Sequence, residues 1–305
     1  MSLAKIKRSV APFLRVRKTT WDIEIYRGTS PFAMRNMDDG MNPVLTAADV
    51  TDVVADFVAD PFMVREGGTW YMFFETLVKA TNKGVICLAT STNALSWTYQ
   101  RVVLEEHFHL SYPYVFAWDG IYYMIPETAE TSTVRLYTAG EFPSGWTFKA
   151  ELLKGRHRDP SIFHHAGKWW MFSETSPDNS GTLSLHLADN LTGPWSEHPK
   201  SPIIQENQHI TRPAGRVVQI DGRFYRLAQD TFPDYGIQIF AFEITELTPT
   251  AYSEAQVGNG PILKGKKSGF LGDRIHHMDA HRLADNEWIA AIDYSRRRLQ
   301  IGLNR

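Results

Sequence analysis

The chain has one cysteine, Cys87, among 305 residues. No disulfide can close within it, which excludes a small secreted scaffold held by disulfides and suits a reducing compartment. Cys87 lies in the apolar run VICLA, where it reads as a small core residue. Long apolar runs are missing too. No window reaches the length of a membrane-spanning helix, and the N-terminus lacks the apolar stretch and cleavage site of a signal peptide. The expectation is a soluble, cytoplasmic protein with no transmembrane segment. An excess of one charge is also absent: 32 Lys and Arg face 34 Asp and Glu, a net charge of −2. No overall field draws this chain to nucleic acid or to an anionic membrane. Sustained helical periodicity is absent, which argues against an α/β fold. So are a glycine-rich phosphate loop and an Asp-x-Asp loop of the nucleotide-sugar type.

What is present is aromatic and repetitive. Phe, Trp and Tyr make up 12% of the chain, with nine Trp. Five segments share one grammar: 60–76, 111–128, 159–175, 212–230 and 276–293. Each has a polar start, an alternating strand and a turn, then a second strand rich in Trp, Tyr, Phe and Met. The turns are Gly67-Gly68, Asp119-Gly120, Ala166-Gly167, Asp221-Gly222 and Asp285-Asn286, mostly residues that tolerate positive φ. The second strands end on Glu75, Glu127, Glu174, Asp230 and Asp293. A third strand follows in GVICLATS, VRLYTA, LSLHLA and IQIFAFEI. A fourth begins near Trp97, Trp146 and Trp195, which are spaced 49 and 49 residues apart. Four strands repeated about every 50 residues describe the blades of a propeller.

The fold expected is therefore all-β, a five-bladed β-propeller over residues 21–305 behind a basic arm at 1–20. The arm has six Lys or Arg and no acid, and reads as a solvated tail. RLQIGL at 298–303 is the expected third strand of blade five, and WDIEIYRG at 21–28 the strand that closes the ring.

The start of each first strand and the end of each second strand lie at one end of their hairpin. The repeat-ending acids thus form a ring at one mouth of the channel, and repetition makes a structural role the simplest account of any one of them. The informative positions are those where the repeats differ. Blades one and three open on Asp60-Pro61 and Asp159-Pro160, blade two on Ser111-Tyr112-Pro113, blade four on Thr211-Arg212-Pro213. Blade five opens on His276-His277-Met278-Asp279-Ala280-His281. Paired carboxylates across a cleft suit cleavage of a glycosidic bond. His277, Asp279 and His281 alternate, so on a strand they share a face. They could hold a divalent cation such as calcium, or simply line the channel through hydrogen bonds; no cofactor is required. Sugars pack on aromatic rings, and the segment 105–114, with His109 and Tyr112, is the best candidate binder. Glu75, Asp230 and His277 complete the expected substrate-binding set. The expected partner is a carbohydrate or sugar phosphate.

Asp-Pro at the opening of blades one and three resembles the arabinanase and β-xylosidase group, glycoside hydrolase family 43. The string NPVLTAADV, FVADPFM, WYMFFE, FHLSYPYVF, YYMIPET, RPAGRV and HHMDAH more specifically resembles the N-terminal propeller of plant glucosamine inositolphosphorylceramide transferases and its bacterial relatives. That likeness covers nearly the whole chain from about Trp21. The hydrolase likeness implies that Asp60 is a general base and Asp159 the residue that tunes the acid, with inversion if the reaction is hydrolysis. It also implies a glutamate acid at the opening of blade four, where this chain has Arg212. Arginine cannot donate that proton, although it binds phosphate and carboxylate well. Either Glu127 or Glu174 takes the acid's place, or the reaction is transfer or phosphorolysis, or the propeller only binds sugar.

Overall fold

The computed structural model describes residues 14–16, 20–37, 40–175, 181–265, 273–295 and 299–301. Its strands form five antiparallel sheets, apart from a short pairing of Leu14–Val16 with Leu299–Ile301. Blade one is Ala55–Glu66, Thr69–Val78, Lys83–Ser91 and Thr98–Leu104. Blade two is Ser111–Trp118, Ile121–Glu127, Thr133–Glu141 and Ser144–Lys154. Blade three is Arg158–His165, Lys168–Glu174, Leu183–Ala188 and Ser196–Glu197. Blade four breaks its first strand into Arg212–Pro213 and Val218–Ile220, then runs Arg223–Gln229, Gln238–Leu247 and Tyr252–Gln256, with Leu263–Lys264 alongside. Blade five is Met278–Ala284, Glu287–Ser295, Trp21–Gly28 and Met34–Asn36.

The local chemistry explains this repetition. Both central residues of the first four hairpin turns have positive φ, for example Asp119 at 48° and Gly120 at 75°. That geometry matches the right-handed twist of paired strands. In the fifth turn only Asn286 takes it. Each marker tryptophan pins the loop ahead of its fourth strand. The indole N–H of Trp97 donates to Ala94 O (3.1 Å), that of Trp146 to Pro143 O (3.1 Å) and that of Trp195 to Leu191 O (3.0 Å). The core is divided into wedges between neighbouring blades. One holds Phe73, Met124 and Met171 of blades one to three, and another Ile23, Met72 and Ile289 of blades five and one. No helix among the described residues is long and apolar enough to cross a membrane.

The ring closes as expected through 21–28, in register from Trp21 opposite Ser295 to Gly28 opposite Trp288. The expectation for 298–303 is corrected. The third place in blade five is filled by Trp21–Gly28, so Leu299–Ile301 pairs with Leu14–Val16 instead. The other residues of that run, and most of the basic arm, lie outside the described residues.

Candidate active site at the channel mouth

Asp60, Tyr112 and Asp159 occupy the same place in successive blades. Each precedes a proline, each has positive φ (52°, 48° and 48°), and each sits at a break in strand register. Such a bulge re-aims a side chain. Positive φ costs a non-glycine residue on the order of 1–3 kcal/mol, and it persists only where the surroundings enforce it.

The surroundings do enforce it. Asp293 Oδ2, at the end of blade five's second strand, accepts the Asp60 N–H (3.2 Å). Glu127 Oε2, at the end of blade two's, accepts the Asp159 N–H (3.1 Å). Two of the repeat-ending acids therefore have the structural role that repetition suggested: each fixes the bulge in the first strand of the next blade.

The mouth divides into two halves. In the half formed by blades five and one, buried His276 bridges two carboxylates. Its Nε2 is 3.1 Å from Asp60 Oδ1 and its Nδ1 is 3.0 Å from Asp293 Oδ2. Burial opposes its charge, but Asp293 and Asp60 outweigh burial and push the imidazolium up to about 10. Burial also raises Asp293, yet His276 holds it below the usual carboxylate range. Asp60 Oδ2 accepts the Tyr112 N–H (3.1 Å), and Trp21 packs edge-on against His276 at 4.3 Å. Beside them, Glu75 is buried, and burial followed by Asp60 raises it well above the ordinary range. His109 Nδ1 accepts the Gly84 N–H (2.9 Å), so its proton sits on Nε2, 3.3 Å from Glu75 Oε1.

In the half formed by blades two to four, Asp159 is clamped. Its Oδ2 takes Arg212 Nε (2.6 Å) and Gln229 Nε2 (3.0 Å). Arg212 Nη2 stands 3.6 Å from Glu127 Oε2. Burial and then Asp159 push Glu127 up to about 8, although Arg212 pulls the other way. Glu127 therefore keeps its proton through neutrality at a position still 14% exposed. Burial raises Glu174 as well, against the pull of Arg212 and of Arg158, whose Nη1 stands 3.6 Å from its Oε2.

Several expected site residues have other work. Tyr112 is 1% exposed and plugs the channel. Its hydroxyl takes the Gly215 N–H (2.7 Å) and lies against Ser161 Oγ (2.7 Å). Gly215, at φ 135°, must be glycine because a Cβ there would stand 2.0 Å from Met278 O. Asp230 is buried against His209 Nδ1 (2.9 Å), Gln238 Nε2 (2.8 Å) and the Phe232 N–H (3.1 Å), so it ties down a loop. His277 is fully buried, with Nε2 on Pro61 O (3.0 Å).

His277, Asp279 and His281 do not assemble into a metal site. Asp279 is already saturated by the Met63 N–H (2.6 Å), Arg216 Nε (2.9 Å) and His281 Nε2 (2.9 Å). Calcium takes six to eight oxygen ligands, and both Asp279 oxygens are already engaged, one by the Arg216 guanidinium. The described residues whose ligand atoms do converge within 4.8 Å are Asp60, His276 and Asp293. There the His276 imidazole already lies between the two carboxylates.

Arg216, His276 and Tyr235 were not singled out as site residues in the sequence. Arg216 had one weak signal, a charge inside an inward-facing repeat. Tyr235 had none.

Across the whole chain, residues 16–295 match the family model described as glucosamine inositolphosphorylceramide transferase 1, N-terminal. The chain belongs to that family. It is 34% identical over 299 residues to glucosamine inositolphosphorylceramide transferase 1 of Oryza sativa subsp. indica, covering 91% of this chain and 40% of the relative. The Arabidopsis thaliana relative of the same name is 33% identical, over 91% of this chain and 39% of its own length. The chain thus spans about two fifths of these relatives. Solved structures share the fold at low identity. A family 117 glycoside hydrolase of Zobellia galactanivorans matches at TM-score 0.54 and 13% identity, covering 93% of this chain and 91% of that one. A β-1,2-mannobiose phosphorylase of Listeria innocua matches at 0.62 and 13%, covering 88% and 96%. An α-L-arabinanase of Cellvibrio cellulosa matches at 0.56 and 16%, covering 82% and 92%.

Proposed function

We propose that the channel mouth acts on a glycosidic bond of a carbohydrate, with Glu127 as proton donor and Asp60 as base. The carrying observation is Glu127: a partly exposed carboxyl that holds its proton up to about 8, set against Asp159. A general acid works best when its pKa lies near the operating pH. In the step, the bond from the anomeric carbon to the leaving oxygen breaks and that oxygen takes the Glu127 proton. An incoming hydroxyl gives its proton to Asp60 as its oxygen bonds to the anomeric carbon. Water as the incoming group makes this an inverting hydrolysis, and a sugar or inositol hydroxyl makes it a transfer. Burial and then Asp159 keep Glu127 protonated, and Arg212 holds Asp159 in place. The names of the plant relatives and of the fold neighbours agree with carbohydrate chemistry.

The test is turnover of alkyl and nitrophenyl glycosides of pentoses, hexoses and uronic acids. Glu127→Gln is expected to lose about 10²–10⁴-fold on alkyl glycosides, and far less on nitrophenyl glycosides, whose leaving group needs no proton. The wild-type rate on alkyl glycosides falls as pH rises through about 8. Asp60→Asn loses turnover on both substrates with folding intact. Full activity in either variant removes this reading.

Arg212 favours a second reading, in which the donor carries phosphate. Its charge stands beside a protonated Glu127 and its side chain is 16% exposed. Calorimetry with sugar phosphates and nucleotide sugars tests it, with weaker binding expected in Arg212→Ala. No binding across that panel discards it.

A further inference from the structure

Among the described residues only three large aromatic side chains are exposed: Phe148 (51%), Phe232 (52%) and Tyr235 (37%). Two of them stand on one short loop, between Arg223–Gln229 and Gln238–Leu247 of blade four. That loop rises at the mouth. The Tyr235 ring lies 5.2 Å from the Arg212 guanidinium and 4.9 Å from the His276 ring. It therefore spans the two halves of the site, touching the clamp on Asp159 and the imidazolium on Asp60.

The loop is held from every side. Asp230 grips the Phe232 N–H and His209. The Thr231 N–H donates to Gln208 O (3.0 Å), Arg274 Nη2 to Asp234 Oδ2 (2.5 Å) and the Ile275 N–H to Gly236 O (2.8 Å). Gly236, at φ 68°, lies so close to His276 that a Cβ would stand 2.6 Å from its Cβ. Exposed apolar patches rimmed by polar groups mark binding sites. Phe232 and Tyr235 are, with Phe148, the exposed large rings among the described residues; Tyr235 lies beside Arg212 and His276, and Phe232 against His209. Rigid aromatic faces beside polar groups are what an amphipathic ring such as a pyranose requires, since its C–H face stacks and its hydroxyls find donors and acceptors.

We infer that Phe232 and Tyr235 form the platform on which a pyranose ring stacks at the channel mouth, and that Asp230 is the positioning residue that holds it. This deepens the reading of the mouth as a carbohydrate site. It also moves the aromatic contribution away from the segment 105–114, where Phe108 and Tyr112 are buried.

The experiment is saturation-transfer NMR and calorimetry on the full chain with methyl glycosides of glucose, galactose, mannose and glucosamine. With the wild type, saturation passes to the axial C–H protons of at least one sugar. Tyr235→Ala weakens that sugar about tenfold, Phe232→Ala by less, and Tyr235→Phe binds as the wild type because the ring and not the hydroxyl does the stacking. Phe232 is half exposed and carries little of the core, so its variant reads binding free of misfolding. Wild-type affinity in both alanine variants overturns the platform, as does a wild type that binds none of the four sugars. Glu127→Gln separates the two readings: turnover that needs Glu127 with sugar affinity indifferent to residues 232 and 235 leaves the chemistry and removes the platform. Sugar affinity that needs the two rings, with no turnover, does the reverse.

Discussion

Asp279 and Glu127 are both carboxyls of the propeller's inner strands, and burial raises both. Their environments then drive them apart. Deep in the channel, Arg216 and His281 hold Asp279 far below the carboxylate range. Arg216 also donates to Val115 O (3.0 Å) and lies under Tyr114, so one guanidinium ties blades one, two, four and five. At the mouth, Glu127 faces Asp159, whose charge is already committed to Arg212, and it stays protonated to about 8. In one cluster the carboxylate is fully paired. The other keeps a proton and, in Gln229, a buried oxygen with no hydrogen-bond partner. Environments that push like groups apart are how a protein assigns acid and base roles, whereas a closed ion pair with every donor used serves to fix geometry.

Blade five supplies Asp279 to one cluster and His276 and Asp293 to the other, so the largest effect comes from removing its closing strand. Deletion of residues 1–28 takes away the third strand and Trp21 together. The truncated chain is expected to lose its cooperative thermal transition and its near-UV signal. Normal unfolding in that truncation would mean that neither cluster depends on ring closure.

Next in size is the deep cluster alone. Arg216→Ala strands Asp279 as a buried charge, and is expected to cost about 3–5 kcal/mol in denaturant unfolding. Arg212→Ala leaves Asp159 the Gln229 Nε2 donor and a protonated Glu127 as neighbour, and is expected to cost less. Equal costs would erase the distinction between the clusters.

The smallest effects are in pH. Asp279 is lowered, so its stabilisation is complete above its unfolded value of 3.8 and fades as pH falls below it. Glu127 is raised, so the folded state keeps a proton the unfolded chain has lost, and stability falls as pH rises from 4.5 to about 8. His276 is raised too, and its contribution is full below 6.5 and lost as pH rises to about 10. Asp279 and, at the mouth, Asp293 thus act on the acid side, and Glu127 and His276 on the alkaline side. Thermal melts from pH 3 to 10 check this. Glu127→Gln should make the change from 4.5 to 8 shallower, the rest coming from Glu75, Glu174 and His276, and leave the acid limb intact; an unchanged curve refutes the assignment.

The repeats were legible because their signals are local. A turn such as Asp119-Gly120 is written in two adjacent residues, and strand alternation in the next few. The same reading located Asp60 and Asp159 at the mouth, since Asp-Pro marks a place in the blade. It misplaced Leu299–Ile301, because strand-forming pattern does not say which partner is vacant. It chose Tyr112 as a binder and Asp230 as a contact, because an aromatic or an acid looks alike whether buried or exposed.

Chain order, turn chemistry and periodicity by themselves determined five blades and the ring of acids at one end, since these depend on neighbours a few residues apart. Only the tertiary structure decided which acid is charged, which keeps its proton and which rings face solvent. The reason is distance along the chain: Asp60 meets Asp293 and Met63 meets Asp279 across more than two hundred residues. A carboxyl's pKa is set by whichever group the closed ring brings against it.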